Sequence, residues 1–363
     1  MYALRIYVGT QQLDPLAIVE MHLMSDLDSL CYTGALRIKD GVGAMYSKMT
    51  LGLSVKIQYL DEQGRKKLDC PLRVLSYEKL ATRSPGMVDE LTLTLISDWY
   101  YKQQPVTRAF FGSISSIAAD VVRTDSFFKA KLIEESSDAK SLRYQVGRSS
   151  LEFFKTIAKY AVRDISAMFM YGTVDQEFVL KSIKAIQGST PLYTLVPFLD
   201  GRADVLPTGF SYPILGIFSI AFYADGSRTA GSRKYFFTTD HMPSADLAST
   251  KTSVDLKTLE SNETLLVSSI IGSDATILGW EISPSDAIAM TINQTEKLNQ
   301  DLLSIVVIVP STIGSGLSLG SVVKLYLNAS LPPENGSYYV KHIDYQYSDA
   351  NSYTKLQLIR IPQ

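Results

Sequence analysis

Period-two alternation from Gly320 to Ile361 limits this chain more than any other feature, because residues that alternate apolar and polar can bury one face only as strands. Val323, Leu325 and Leu327 fall on one face of a first strand, with Lys324 and Tyr326 on the other. A bend carrying Pro332, Pro333, Asn335 and Gly336 leads to Tyr338 to Tyr347, and Ser348-Asp349-Ala350-Asn351 leads to Tyr353 to Ile361. Turn residues at both bends make this a three-stranded antiparallel meander. An echo lies near the start: Val55 to Leu60, an Asp61-Glu62-Gln63-Gly64 turn, Leu72 to Leu80, then Leu91 to Ile96. Val55 to Val74 and Val323 to His342 are both 19 residues apart, so the first two strands of each meander are expected in one register, with the second bend longer in the first copy. Amphipathic meanders resemble one another, so the echo fits either duplication or coincidence of pattern.

The rest of the first hundred residues reads as β, with strands at Leu4 to Val8, Ala17 to Leu23 and Cys31 to Ile38 and with Trp99, Tyr100 and Tyr101 closing a small barrel or sandwich. Past Pro105 the period changes. Ser113 can cap a helix running to about Arg123, with Ile114, Ile117, Ala118, Val121 and Val122 in one stripe. After a short β piece at Leu142 to Val146, Ser149-Ser150-Leu151-Glu152 is a capping-box signature. It opens a helix with Leu151, Phe154, Ile157, Ala158, Ala161 and Ile165 on one side, followed by a hairpin from Ala167 to Ile183. β character returns between Pro191 and Asp225. A polar stretch, Asp225 to Thr264, reads as an exposed excursion. Pro284 then sits at the first position of a helix lined by Ile288, Ile292, Leu298 and Leu302, and Ile305 to Val309 is an apolar strand leading into the terminal meander.

The expected fold is therefore α+β and mainly β. Residues 1–104 form a first small antiparallel barrel, 105–188 an α+β unit, 189–224 with 305–363 a second, split barrel, and 225–304 an insertion within it.

Composition closes off several function classes. The 363 residues are 46% hydrophobic and 20% charged, which is enough for more than one core. Net charge is −2 and no run of Lys or Arg makes a basic patch, which disfavours nucleic acid as a direct ligand. The opening Met1 to Val8 alternates like a strand and does not read as a signal peptide. The most apolar run, Ile214 to Tyr223, is about half the ~20 residues a membrane-spanning helix needs. Cys31 and Cys70 are then expected as free thiols, and the sequons at Asn262, Asn293, Asn328 and Asn335 as chance matches.

No catalytic, cofactor-binding or metal-binding residue is assigned. His22, His241 and His342 lie in three segments, none with a second ligand at metal spacing. His342 and Asp344 share a strand face and read as surface neighbours. Gly314-Ser315-Gly316 with Gly320 precedes a strand, where a phosphate-cradling loop must open a helix. The carboxylate pairs Asp61-Glu62 and Glu134-Glu135 fall in polar stretches where solvated side chains are expected. The tyrosines of Tyr338 to Tyr347, with Tyr326, suit an interface or barrel surface, or else a stacking platform for sugars or bases.

Taken in order, these segments resemble the central baseplate hub proteins of contractile-tailed bacteriophages, of which the T-even hub is the best-known type, and the hub part of type VI secretion spike proteins. The resemblance rests on the all-β opening, Arg108-Ala109-Phe110-Phe111-Gly112 before a helix, Leu151-Glu152-Phe153-Phe154 with the Met168 to Ile183 hairpin, and the split second barrel. It ends with Tyr338-Tyr339-Val340, His342-Ile343 and Thr354-Lys355-Leu356. It implies a structural protein and no enzyme, in the tail baseplate of a virion assembled in the host cytoplasm. It also implies a homotrimer whose six barrels present a pseudo-six-fold face to a hexameric tail tube or tube initiator. The implied partners are a trimeric central spike, here a separate polypeptide because the chain ends at Gln363, and other baseplate proteins. DNA would meet it only in transit through the channel. A glycan-binding or glycan-degrading β-protein using Tyr345 and Asp344, and the hub of a non-contractile tail tip, are the competing readings.

Overall fold

A computed structural model describes residues 3–41, 43–60, 65–80, 89–125, 129–197, 211–214, 216–222, 286, 289–290, 292–293, 296–297, 303–314, 316–326, 335–348 and 351–361. The first hundred residues give β1 (Ala3–Val8), β2 (Gln11–Gln12), β3 (Ile18–Asp26), β4 (Thr33–Lys39), β5 (Ser54–Leu60), β6 (Lys66–Leu80) and β7 (Glu90–Ser97). They lie side by side in the order β3-β4-β7-β6-β5-β1-β2 and curl into a partial barrel. Alternation does what the sequence predicts: in β4 Gly34, Leu36 and Ile38 turn inward, and in β7 Leu91, Leu93 and Leu95 meet them. Each such buried aliphatic side chain contributes about 1.5–3 kcal/mol. Of the three aromatics, all on a short helix, α1 (Asp98–Lys102), Trp99 is buried, Tyr101 is partly exposed but lies over Gly52 and donates to Val74 O at 3.1 Å, and Tyr100 is exposed.

The second module is built from β14 (Tyr193–Pro197), β15 (Ser211–Ile214), β16 (Gly216–Phe222), β17 (Leu303–Pro310), β18 (Val322–Leu325), β19 (Gly336–Ser348) and β20 (Asn351–Arg360). Its order, β16-β17-β20-β19-β18-β14, repeats that of β3-β4-β7-β6-β5-β1. The last pairing differs, being parallel for β14 with β18 and antiparallel for β1 with β5.

The repetition reaches single residues. Leu23, Gly34, Leu95 and Val74 stand opposite one another across four strands of the first module, and Ile220, Ile305, Leu358 and Val340 do so in the second. Each row ends at a valine followed by a one-residue bulge, between Val74 and Ser76 in β6 and between Val340 and His342 in β19. Each valine carbonyl accepts a hydrogen bond from a glycine with positive φ, Gly52 at +78° and Gly320 at +73°, and both bonds are 2.8 Å. Each valine N–H donates to the carbonyl of the residue after that glycine, Leu53 at 3.0 Å and Ser321 at 2.9 Å. A side chain is strained in that left-handed conformation, so glycine recurs where the turn recurs. A bulge, a left-handed turn and a strand order shared at matching places are more than amphipathic meanders have in common.

This equivalence corrects the register expected from spacing. Val55 faces Leu72 while Val323 faces Tyr338, so Val74 matches Val340 and not His342; the second copy's first turn is two residues shorter. A shift of two leaves every side chain on its own face, which is why alternation does not report it. The second bend is longer in the first copy, as expected: Leu80 pairs with Glu90, whereas Ser348 pairs with Asn351.

Between the modules lies the α+β unit: β8 (Val106–Gly112), α2 (Ile114–Asp125), β9 (Lys129–Ile133), β10 (Ser141–Arg148), α3 (Ser150–Ile157), β11 (Val162–Arg163), β12 (Ser166–Gly172), β13 (Glu177–Ser182) and α4 (Ile183–Gln187). Both halves of the predicted capping box are present: Glu152 N–H donates to Ser149 Oγ at 3.3 Å and Ser149 N–H to Glu152 Oε2 at 3.0 Å. The predicted stripe of α2 is buried. The stripe of α3 ends sooner than expected, since the chain leaves the helix after Ile157 and Ile165 is half exposed. Ile133 of β9 lies beside Leu180 in a parallel pairing that no periodicity announced.

Candidate assembly interfaces

The modules meet edge to edge. β3 runs antiparallel to the second half of β19, from Asp26 opposite His342 to Glu20 opposite Ser348, so the described strands of both modules belong to one continuous sheet. Two of the three histidines stand on this joint, each beside a carboxylate from the other module. His22 Nδ1 is 3.2 Å from Asp344 and its Nε2 2.9 Å from Glu20. Glu20 in turn pairs with Arg37 at 3.0 Å, and His342 Nδ1 is 3.4 Å from Asp26. Two carboxylates facing both ring nitrogens favour the doubly protonated imidazolium. Burial alone would lower the His22 pKa, but the hydrogen bonds and charges of Glu20 and Asp344 outweigh it and hold the pKa above its usual place. Burial would likewise raise Asp26; the hydrogen bonds from His342 and the Asp28 N–H outweigh that and hold it below the ordinary carboxylate range. Glu20 is also lowered, chiefly by its hydrogen bond with His22.

Apolar contact continues the joint inward. Tyr59 of β5 and Tyr345 of β19 lie with ring centroids 6.3 Å apart, and burial pushes the Tyr59 phenol up to about 12. The tyrosines of β19 are therefore neither a stacking platform nor an outer surface. Tyr338 and Tyr339 are fully buried, Tyr345 is 4% exposed and Tyr347 8%. Both faces of this central strand are covered, so aromatic residues on either face enter the core.

The α+β unit is wedged against both modules. At the tip of its hairpin, Gly172 N–H donates to Ser29 O at 3.3 Å, and a Cβ on Gly172 would stand 2.3 Å from the Leu30 carbonyl oxygen. On the other side Tyr171 donates to Leu319 O at 3.3 Å. Helical residues between β16 and β17 dock on the same unit. Asn293 donates its amide to Ala161 O at 2.7 Å, Glu296 accepts from Ser166 Oγ at 3.2 Å, and Asp286 pairs with Arg143. Ala289, Met290 and Ile292 are buried there, whereas Ile288, Leu298 and Leu302 of the predicted stripe lie outside the described residues, as does the excursion 225–264. Asn293, a sequon residue, is 2% exposed and no glycan acceptor in this fold.

Superposition on solved structures places this architecture. A 43 kDa tail protein of prophage MuSo2 from Shewanella oneidensis aligns with a TM-score of 0.65 over 99% of this chain and 98% of its own, at 10% identity. A tail protein from Neisseria meningitidis MC58 aligns with a TM-score of 0.61 over 99% and 96%, at 13% identity. This chain has the fold of those tail proteins. An Escherichia coli component of the type VI secretion system, itself structurally similar to the T4 bacteriophage tail proteins gp27 and gp5, shares this fold with a TM-score of 0.54. That match covers 99% of this chain and 77% of the other, at 10% identity. Comparison with protein-family profiles and with curated proteins finds no match.

The remaining candidate residues make contacts within the fold. Glu134 is not solvated as expected; it accepts from Ser182 N–H at 2.6 Å and Ser182 Oγ at 3.1 Å and pairs with Arg163. Asp344, expected as a surface neighbour of His342, is 7% exposed and pairs with His22 instead. Gly314 ends a short helix, Ser311–Gly314, where a Cβ would overlap Thr354; Asp61, Glu62, Ser315 and His241 lie outside the described residues. Cys31 and Cys70 are free thiols, and burial pushes both up. Among the described residues no three His, Cys, Asp or Glu side chains converge on a metal position. No described helix is long and apolar enough to cross a membrane. An open cavity of about 140 Å³, lined by Lys67, Lys131, Asp175, Leu317 and Tyr345 among others, lies where the hairpin meets both modules. It is smaller than the ~300 Å³ at which small-molecule sites begin.

Proposed function

We propose that this chain is the structural hub of a phage-type tail baseplate. Three copies, each giving two similar barrels, form a ring whose pseudo-six-fold face seats a hexameric tail tube or tube initiator and whose other face seats a trimeric central spike. The observation that carries this reading is the duplication, with one barrel-to-barrel joint already made inside the chain. A three-fold ring of two-barrel chains has six near-equivalent positions, and a heterologous interface repeated by rotation closes such a ring. In this reading residues 1–104, 105–188, and 189–224 with 305–363 are separate domains, and 225–304 is an insertion. The protein is an adaptor in the virion tail and not an enzyme, it contacts other baseplate proteins, and DNA passes through its channel without being read.

The glycan reading loses its main support, since the tyrosines it needs are in the core and Asp344 is engaged by His22. Native mass spectrometry tests the hub reading. The expected species is a trimer, alone or with a trimeric spike protein added, with a ring visible by electron microscopy down the three-fold axis. A strict monomer at every concentration, with no affinity for spike or tube protein, overturns it.

A further inference from the structure

The duplication assigns a location to the joint that one chain does not complete by itself. In the observed joint, β3 lies along the half of β19 that follows its bulge. The structural equivalents of these partners are β16 and the half of β6 that follows the bulge at Leu75. β5 has ended by then, its last pairing being Ser54 with Arg73, so from Ser76 to Leu80 β6 is paired among the described residues with β7 alone. β16 is paired among them with β17 alone. Burial follows the same division. Ile343, Asp344 and Tyr345, which β3 covers, are buried, while their equivalents Tyr77, Glu78 and Lys79 are not. The loop before β5 meets one face of this half of β6, where Tyr46 packs against Tyr77, just as Leu317 approaches Tyr345 in the module where the edge is occupied. Among the described residues one molecule thus carries two strand edges without a partner strand, related by the same repetition that relates its two joined ones.

We propose that these edges are the two sides of the joint between copies: β16 of one copy pairs antiparallel with residues 76–80 of β6 in the next. The register follows from the equivalences already described. Leu23 matches Ile220 and Val74 matches Val340, so the observed pairs Ser25 with Ile343, Met24 with Asp344, Leu23 with Tyr345 and His22 with Gln346 become new ones. These are Phe222 with Tyr77, Ala221 with Glu78, Ile220 with Lys79 and Ser219 with Leu80. Backbone ladders of this kind join chains through main-chain hydrogen bonds, and open edges left uncovered invite unwanted pairing. The inference rests on the trimeric-ring reading and adds to it which strands meet and in what order.

Paired cysteines test it. Opposed residues in an antiparallel ladder alternate between two spacings, both within disulfide reach and the non-hydrogen-bonded one closer, so adjacent pairs cover both cases. Glu78→Cys with Ala221→Cys, and Lys79→Cys with Ile220→Cys, are each oxidised in the full chain and run on a non-reducing gel. At least one is expected to give covalent dimers and trimers and nothing larger. The single variants, and Glu78→Cys with Ile220→Cys, which sets the thiols on opposite faces, are expected to stay uncrosslinked. Hydrogen exchange on the unmodified protein needs no substitution: amides within 76–80 are expected to slow on passing from dilute monomer to trimer. A trimer by mass that shows neither crosslinking nor protection overturns this joint and leaves the ring reading standing. Equal crosslinking of the opposite-face pair overturns the register. A monomer at every concentration overturns both.

Discussion

Asp344 and His22 are 322 positions apart in the chain and 3.2 Å apart in the fold, and their meeting makes the joint between modules sensitive to pH. His22 has a raised pKa, so its contribution is fully present below the ordinary 6.5 and is lost as pH rises through the folded value. Asp26 and Glu20 are lowered, so theirs is present above the ordinary 3.8 and 4.5 and is lost as pH falls through the folded values. The joint is strongest in the window between. Melting temperature is therefore expected to fall from pH 6 to pH 8 more steeply in the native protein than in His22→Gln, as differential scanning fluorimetry would show; identical slopes refute the assignment. Gly172→Ala, whose Cβ meets the Leu30 carbonyl, is expected to cost about 1–3 kcal/mol in denaturant unfolding, the usual penalty of forced overpacking. Neither site was legible in the sequence. Spacing finds partners within a few residues, whereas these histidines and this glycine are defined by chain that arrives from another module. The tyrosines of β19 misled for a related reason, because alternation says which residues share a face and not whether both faces are covered.

Elements whose ends are fixed by local chemistry were readable. The capping box at Ser149 and Glu152, the α2 stripe, the hairpin from Ser166 to Ser182 and the terminal meander each follow from residues a few positions apart. β8 and β9 were not. Most residues of β9 are exposed, so its sequence, Lys129-Ala130-Lys131-Leu132-Ile133, carries no alternation and its only cause is the neighbouring β13. Ser149→Ala is expected to cost about 1 kcal/mol in equilibrium unfolding, as loss of a helix cap does. Asn293→Ala removes the amide bonds to the Ala161 and Ala158 carbonyls, which keep backbone bonds from the Met168 and Ala161 N–H groups, so the expected cost is that of the lost side-chain hydrogen bonds, about 0.5–1.5 kcal/mol each. Limited proteolysis reads that loss separately, as earlier cleavage of the segment that carries Asn293 while the cores of the two modules stay intact.

At the scale of the whole molecule, one apolar cluster runs from Ile6 through Phe154 and Tyr171 to Ile359, taking in both modules and the unit between them. Calorimetry is therefore expected to show a single main unfolding transition; three separate ones would mean that the wedge does not couple the modules. The repetition was visible in the sequence as two meanders, but its residue-level match rests on hydrogen bonds of Gly52 and Gly320 that no pattern displays. In the proposed ring, that repetition also changes the arithmetic of assembly. Were the two modules free proteins, closing six of them would depend on the sixth power of their concentration. With every second contact supplied by covalent linkage the dependence falls to the cube, so scarce copies can still find one another, and each half is free to diverge on the side that its twin does not use.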